Sequence, residues 1–158
     1  MPYRLTWESG PTGVVAEYSD RLSRNDLADY SRELTVDPRW HNLRYVIVDA
    51  SRIDGVDVDT STPLALAAPY ILLIGAACTR DPLPYAVVTS NPELMHLLER
   101  QRAFGVFPYP TPVFETVAAA RRWVAQQLPA NNASGREDRR PGGRPDGYDA
   151  GEGPSDLS

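Results

Sequence analysis

The sequence predicts a single α/β domain in which a β-hairpin precedes alternating strands and helices. Two apolar runs, Tyr45–Val48 and Tyr85–Thr89, are rich in β-branched residues, as is typical of strands buried in a parallel sheet. Each run leads through polar residues into a helix-start signal, which is the order of a strand, a loop and a helix. Turn residues at Gly10–Gly13 separate two further apolar stretches, which predicts an opening hairpin. We therefore expect a mixed, mainly parallel sheet packed with helices.

The hairpin and the first helix follow from simple local signals. Apolar and polar residues alternate over Tyr3–Trp7, which predicts a half-buried strand, and Val14–Tyr18 is the expected return strand. Ser23 is the expected N-cap of the first helix, with Asp26 three positions later in the place of a capping box. Asp37–Pro38 ends this helix, because the residue before a proline disfavours the α conformation.

The central strand precedes the most apolar segment of the chain. We expect this strand over Leu43–Val48 and a polar loop after it. Thr62 and Pro63 suit an N-cap and a first helical turn, and a helix apolar nearly all round is expected over Leu64–Ala77. The alternative is that Tyr70–Ile74, the second half of this segment, forms a strand.

The last elements repeat the strand and helix order. Tyr85–Thr89 is a buried strand, and Ser90–Glu93 is a second helix start whose helix closes at Gly105. Val113–Glu115 predicts a short edge strand, and Val117–Leu128 predicts the closing helix.

The composition divides the chain into a folded part and a tail. Residues 129–158 hold 6 of the 11 glycines and almost no large apolar residue, so they cannot bury enough surface to offset chain entropy. We expect one folded domain over residues 1–128 and a disordered Gly/Pro/Asp/Arg-rich tail over residues 129–158.

Charge and cysteine content exclude several classes of function. A net charge of -5 argues against a nucleic-acid partner. All 16 basic residues are Arg, which excludes Schiff-base lysine chemistry and a phosphate-binding P-loop, and indicates a GC-rich bacterial genome. The single Cys78 suits a reducing cytoplasm. The apolar segment Leu64–Cys78 is shorter than the roughly 20 residues of a membrane span, so we expect a cytoplasmic protein without one.

The sequence gives no sign of an active site, a metal site or a cofactor. His41 and His96 are the two histidines, and neither belongs to a nucleophile or metal-ligand pattern. Asp54, Asp57 and Asp59 form an acidic loop without the spacing of an EF-hand calcium loop. We therefore predict a protein that is not an enzyme.

The first candidate site is the sheet edge where the two strand-to-helix loops leave. Parallel strands end at the same edge, so two helix N-termini meet there and favour a phosphate or another anion. The candidate interaction and anion-binding residues are Asp49, Ser51, Asp59, Ser61, Thr62, Ser90 and Asn91. The alternative is that Thr62 and Ser90 or Asn91 only cap their helices.

The second candidate site is an apolar pocket beneath the helix of residues 64–77. Leu66, Tyr70 and Leu73 are its expected lining residues. The alternative is that this helix simply fills the core.

Three local patterns, taken in order, resemble the SpoIIAA-like branch of the STAS domains, the family of sulfate transporters and anti-sigma-factor antagonists. The patterns are Asp37–Trp40 leading into Val46–Ser51, Tyr85–Thr89 before a helix, and Val113–Thr116 running into Ala120–Val124. The resemblance covers roughly residues 3–128. It implies a small α/β domain without enzymatic activity that docks to protein partners.

In the antagonists of this family, an Asp-Ser-Ser-Gly motif opens the helix after the central strand, and its second serine is phosphorylated. The matching segment here is Asp59–Thr62, so the resemblance makes Ser61 the candidate phosphoacceptor. Thr62 replaces the family's glycine, and the preceding loop is longer. The implied partner is a kinase or an anti-sigma-like regulator.

Related folds of the lipid-exchange CRAL-TRIO type bind apolar ligands. A carrier or sensor of a small apolar or lipid-like ligand is therefore the alternative function. Whether the chain forms a homodimer is left open by the sequence.

Overall fold

The computed structural model describes residues 3–59, 61–62, 83–105 and 111–128. They form five strands, three α-helices and one short 3-10 helix. In chain order these are β1 Tyr3–Glu8, β2 Gly13–Ser23, α1 Arg24–Val36, the 3-10 helix Pro38–Asn42, β3 Tyr45–Asp57, β4 Tyr85–Val88, α2 Pro92–Ala103, β5 Val113–Phe114 and α3 Val117–Gln127.

The five strands form one mixed sheet in the order β1-β2-β3-β4-β5. The strands β1 and β2 pair antiparallel as a hairpin, whereas β2, β3, β4 and β5 are all parallel to one another. This arrangement confirms the α/β fold class and the mainly parallel sheet that the sequence predicts.

Alternation along the strands sends side chains to two separate cores. On the first face, Val46 and Val48 pack in one cluster with residues of α1 and α2 such as Leu34 and Leu97. On the second face, Ile47 and its neighbours pack with buried residues of α3 such as Val124. In the described part of the chain, two helices therefore cover the first face and one helix covers the second.

The expected helix starts at Ser23 and at Ser90–Glu93 are present with their capping side chains, whereas the helix expected after Thr62 lies outside the described residues. Ser23 caps α1 in a capping box with Asp26, and Asn91 caps α2 with Pro92 in its first turn. Gly105 follows the end of α2 with a φ of +64°, a left-handed conformation that glycine adopts without steric cost. Thr116 caps α3.

The two central strands are much longer than the sequence patterns indicate. The strand β2 continues to Ser23 and β3 continues to Asp57, and Ser19–Ser23 pairs with Arg52–Asp57. We call these paired segments the distal ribbon. Two register shifts between Glu17 and Arg21 accompany the pairing, and Asp20 has a positive φ of 61° there.

The prediction of a loop directly after Val48 is therefore wrong. Asp49 and Ser51 lie inside β3, and so do Asp54 and Asp57 of the expected acidic loop. The physical reason is that Leu22 and Ile53 are buried, so the ribbon packs one face on the core while its polar residues face outward.

Several predicted features lie outside the described residues. They are the helix of residues 64–77, the pocket residues Leu66, Tyr70 and Leu73, Cys78, and the tail of residues 129–158. Among the helices that the structure describes, none has the length and apolar character needed to cross a membrane.

Candidate functional site

The N-terminal turn of α2 lies alongside β3 where β4 has already ended. The last residue of β3 that pairs with β4 is Asp49. Beyond it, the Thr89 hydroxyl lies 3.4 Å from the carbonyl oxygen of Ala50, and the N–H of Val56 donates to Glu93 Oε2 at 2.8 Å. The start of α2 thus takes the place that another strand would occupy next to the distal ribbon.

Asn91 uses its side chain to close this turn. Its Oδ1 accepts from the N–H groups of Glu93 at 2.9 Å and Leu94 at 3.1 Å, and its own N–H donates to the Thr89 hydroxyl at 3.0 Å. Because these helix N–H groups are already satisfied, fewer donors remain for an anion. Ser90 beside them is exposed. The capping interpretation of Asn91 therefore agrees with its contacts.

Asp49 and Ser51 form a local pair on β3. Asp49 Oδ1 accepts from the N–H of Ser51 at 3.1 Å and from its hydroxyl at 2.6 Å. Asp49 is the register neighbour of Glu17 on β2, and Glu17 in turn binds Arg4 at 2.5 Å and Arg52 at 3.4 Å. This pair belongs to a solvated charged surface on the second face of the sheet.

Asp59 and Ser61 form a second local pair after the distal ribbon. The N–H of Ser61 donates to Asp59 Oδ1 at 2.8 Å. Hydrogen bonds from the backbone and side chain of Ser61 hold the pKa of Asp59 below its ordinary value, and the positive charge of Arg24 acts in the same direction. Ser61 and Thr62 are both exposed.

The residues expected at one edge are thus divided along the length of β3. The strand rises about 3.3 Å per residue, so Asp49 and Asp57 lie roughly 26 Å apart. Asp49 and Ser51 are near the end of β4, whereas Asp59, Ser61 and Thr62 follow the far end of the distal ribbon. The structure places the Ser90–Asn91 turn between them, alongside β3.

A close approach over Gly55 was not foreseen from the sequence. A Cβ built on Gly55 would lie 2.6 Å from Arg21 Nη1 and 3.5 Å from Glu93 Oε2. The guanidinium of Arg21 and the carboxylate of Glu93 therefore both approach this point of the ribbon. A glycine between strand-forming residues is a known sign of close approach, and it is the signal that could have revealed the contact.

Two buried polar side chains were also missed. Gln101 on α2 is fully buried, and neither atom of its amide has a hydrogen-bond partner among the residues that the structure describes. Within the same ranges, the hydroxyl of Thr111 is also buried without a partner. A buried polar group without a hydrogen-bond partner lowers the free energy of unfolding by about 1–3 kcal/mol. These two side chains are therefore polar groups inside an otherwise apolar region.

The described part of the chain contains no cluster of three or more His, Cys, Asp or Glu side chains that could hold a metal ion. His41 lies in the 3-10 helix and His96 on α2, and both are exposed.

Several known structures are similar to this chain. An anti-sigma factor antagonist from Mycobacterium paratuberculosis superposes with a TM-score of 0.52 at 11% identity, over 78% of this chain and 94% of that chain. A protein from Shewanella loihica with a SpoIIAA-like fold gives a TM-score of 0.46 at 15% identity, over 77% and 91% of the two chains. The phosphorylated cell fate determinant SpoIIAA of Bacillus gives 0.47 at 13% identity, over 76% and 98%.

No sequence-family model and no curated protein sequence matches the chain. The superposition on the Mycobacterium antagonist confirms the STAS, SpoIIAA-like fold that the local patterns indicated.

Proposed function

We propose that this chain is a non-enzymatic regulatory domain that docks to a protein partner through the far end of the distal ribbon. The docking residues are Asp57, Asp59, Ser61 and Thr62. The observation that carries the proposal is the exposed Ser61, whose N–H donates to Asp59 a few residues beyond a strand that is anchored in the core. The shared fold with an anti-sigma factor antagonist supports a regulatory role of this kind.

The anchoring of the ribbon supports its use in recognition. Leu22 and Ile53 are buried in the first core, and Glu93 binds the N–H of Val56. The ribbon is therefore fixed on one side by apolar packing and on its free edge by a charge-assisted hydrogen bond. A surface that is already ordered loses little conformational entropy when a partner binds.

Phosphorylation of Ser61 is the regulation that we propose for this surface. A phosphate adds roughly -1.5 to -2 charge at neutral pH. Placed on Ser61, it repels the carboxylate of Asp59, which accepts the N–H of the same residue. The turn must then rearrange, which alters the surface that the partner reads. This mechanism requires a kinase, and the shared fold favours an anti-sigma-like regulator as the docked partner.

The test compares wild type with Ser61→Ala and Ser61→Asp as tagged baits in cytoplasmic extracts of the source cells. Quantitative mass spectrometry measures the proteins that bind, and phosphopeptide mapping of the native protein measures modification. Ser90→Asp is the matched control, because Ser90 is an exposed serine on another turn. We expect wild type, Ser61→Ala and Ser90→Asp to recover similar amounts of the same partner. Ser61→Asp should recover at least tenfold less of it.

Two results would contradict the proposal in different ways. Equal recovery of the partner by wild type and Ser61→Asp, with no phosphate at Ser61, would reject the switch while leaving docking intact. If Ser61→Asp and the further variant Asp57→Arg both still bind the partner, the docking surface lies elsewhere.

A second candidate function is the carriage or sensing of a small apolar or lipid-like ligand. The observation that favours it is the buried amide of Gln101, because ligand pockets are mainly apolar with a few placed polar groups. Native mass spectrometry of the purified protein, followed by organic extraction, tests it. A bound small molecule that Gln101→Leu loses would support this function, and an unliganded mass in both proteins would oppose it.

A further inference from the structure

Within the described ranges, the strand β1 forms an edge of the sheet. It is six residues long, and among the described residues it pairs with β2 alone. The opposite edge is β5, which is only two residues long. An edge strand carries unpaired backbone N–H and C=O groups that can bind another strand, and proteins commonly keep such edges short. The edge of β1 is thus the larger of the two available templates.

The two faces of β1 have opposite character. Tyr3, Leu5 and Trp7 point to the first face, where they pack against the core but stay only partly buried. Alternation sends Arg4, Thr6 and Glu8 to the second face. A strand added at this edge would shield the partly buried apolar side chains on the first face. On the second face it would lie beside the cation of Arg4 and the anion of Glu8.

We propose that a second copy of this chain adds its own β1 to this edge, antiparallel and centred on Thr6. In that register Arg4 faces Glu8 of the second copy, and Glu8 faces its Arg4. On the first face, Leu5 faces Trp7 of the second copy. Opposite charges and aromatic–aliphatic pairs directly across strands each contribute roughly 0.2–1 kcal/mol.

The sequence of β1 also disfavours the competing arrangement. Parallel pairing through the same edge would turn the second copy over, so the apolar and the charged side chains of the two β1 strands would lie on opposite faces of the joined sheet. Only the antiparallel register pairs both charges with their opposites. The self-complementary order of the two charges, with Thr6 midway between them, is the argument for a second copy as the occupant.

The dimer would extend ion pairs that already exist within each copy across the interface. Arg4 already binds Glu17 at 2.5 Å, and Glu8 binds Arg121 at 2.6 Å. After pairing, Glu17, Arg4, Glu8 of the second copy and Arg121 of the second copy form a row of alternating charge. The row occurs twice about the two-fold axis, as a symmetric dimer requires.

The interface consists of one strand edge and is small. Interfaces below about 1,200 Å² are usually weak, so we expect dissociation at roughly micromolar concentrations. The dimer should therefore appear in a dilution series.

Sedimentation velocity on the full chain, over a hundredfold concentration range, tests the proposal. Wild type should change from monomer to dimer as its concentration rises. Arg4→Glu and Glu8→Arg should each stay monomeric, because each homodimer would contain two like-charge pairs. An equimolar mixture of the two variants should restore the dimer, because both cross-strand pairs are then of opposite sign.

Arg52→Glu is the matched control. Arg52 shares the partner Glu17 with Arg4 and is similarly exposed, but it lies on β3 away from the edge. This variant should dimerise like wild type. Thr6→Asp is a second variant that avoids the ion pair of Glu8 with Arg121. It places two carboxylates opposite each other at the two-fold axis and should weaken the dimer at least tenfold.

The proposal is overturned if folded wild type stays monomeric throughout the range. It is also overturned if Thr6→Asp dimerises as well as wild type, or if Arg52→Glu is as monomeric as Arg4→Glu. Circular dichroism establishes that each variant is folded before its mass is interpreted.

Discussion

The aromatic ring of Tyr45 lies directly against the backbone of Gly13. The two residues are register neighbours on β3 and β2, and a Cβ built on Gly13 would come within 2.0 Å of Tyr45 Cζ. The Tyr45 hydroxyl donates to Glu8, which also binds Arg121 through both carboxylate oxygens. One ring thus links the hairpin, the central strand and α3.

Gly13→Ala should lower the free energy of unfolding by about 1–3 kcal/mol, because the added methyl group forces the Tyr45 ring out of its position. Urea denaturation measures the change. In a Tyr45→Ala background the same substitution should cost far less. An equal cost in both backgrounds would show that the ring does not cause the effect.

Glu8 should make the free energy of unfolding depend on pH in the acidic range. Hydrogen bonds from Arg121 and Tyr45 hold the pKa of Glu8 below its usual value of 4.5, despite partial burial. The folded state therefore binds the proton less tightly than the unfolded chain. The stabilisation is complete above about pH 4.5 and is lost as the pH falls through the folded pKa.

Glu8→Gln should consequently reduce the difference between the urea midpoints measured at about pH 6 and pH 3. Arg121→Gln should reduce it as well, because it removes the main cause of the shift. A pH profile of Glu8→Gln that runs parallel to that of wild type would contradict this account.

Gln101→Met should raise the free energy of unfolding by about 1 kcal/mol, because an apolar side chain of similar length replaces two unsatisfied polar atoms. Thermal and urea unfolding measure the change. Gln126→Met, at an exposed position on α3, should have little effect. A loss of stability in Gln101→Met would instead show that the amide has a partner outside the described residues.

Asn91→Ala should destabilise the fold by about 1 kcal/mol, since two helix N–H groups lose their acceptor. Ser90→Ala should have almost no effect. If Asn91 is only a cap, binding of the partner found with wild type bait should be unchanged below the unfolding transition. A selective loss of that binding would make Asn91 part of the docking surface.

The fold was predictable because local and global signals agree in most elements. The capping box of Ser23, the Asn91–Pro92 helix start and Gly105 appear in the structure where the sequence indicates them. The paired runs Val46–Val48 and Tyr85–Val87 have the apolar character of strands buried on both faces.

The candidate site was less predictable, because strand ends depend on pairing partners far away in sequence. Asp49, Ser51 and Asp54 have low strand propensity, yet pairing with β2 and the burial of Ile53 keep them in β3. The sequence analysis ends this strand at Val48 and therefore places Asp49 and Asp59 in one loop. In the structure, the longer strand β3 separates them. The side chain of Glu93 accepts the backbone N–H of Val56, and no local sequence pattern encodes such a contact.

The ion pair of Glu8 and Arg121 joins residues 113 positions apart. During biosynthesis, Glu8 therefore cannot form this ion pair until Arg121 has been synthesised. Until α3 has left the ribosome, the apolar second face at Ile47 and Val88 lacks the one helix that covers it in the described part of the chain. Partly made chains of this kind are prone to aggregate and to bind chaperones. A premature stop before Val117 should therefore yield an insoluble product, even though all five strands would be present.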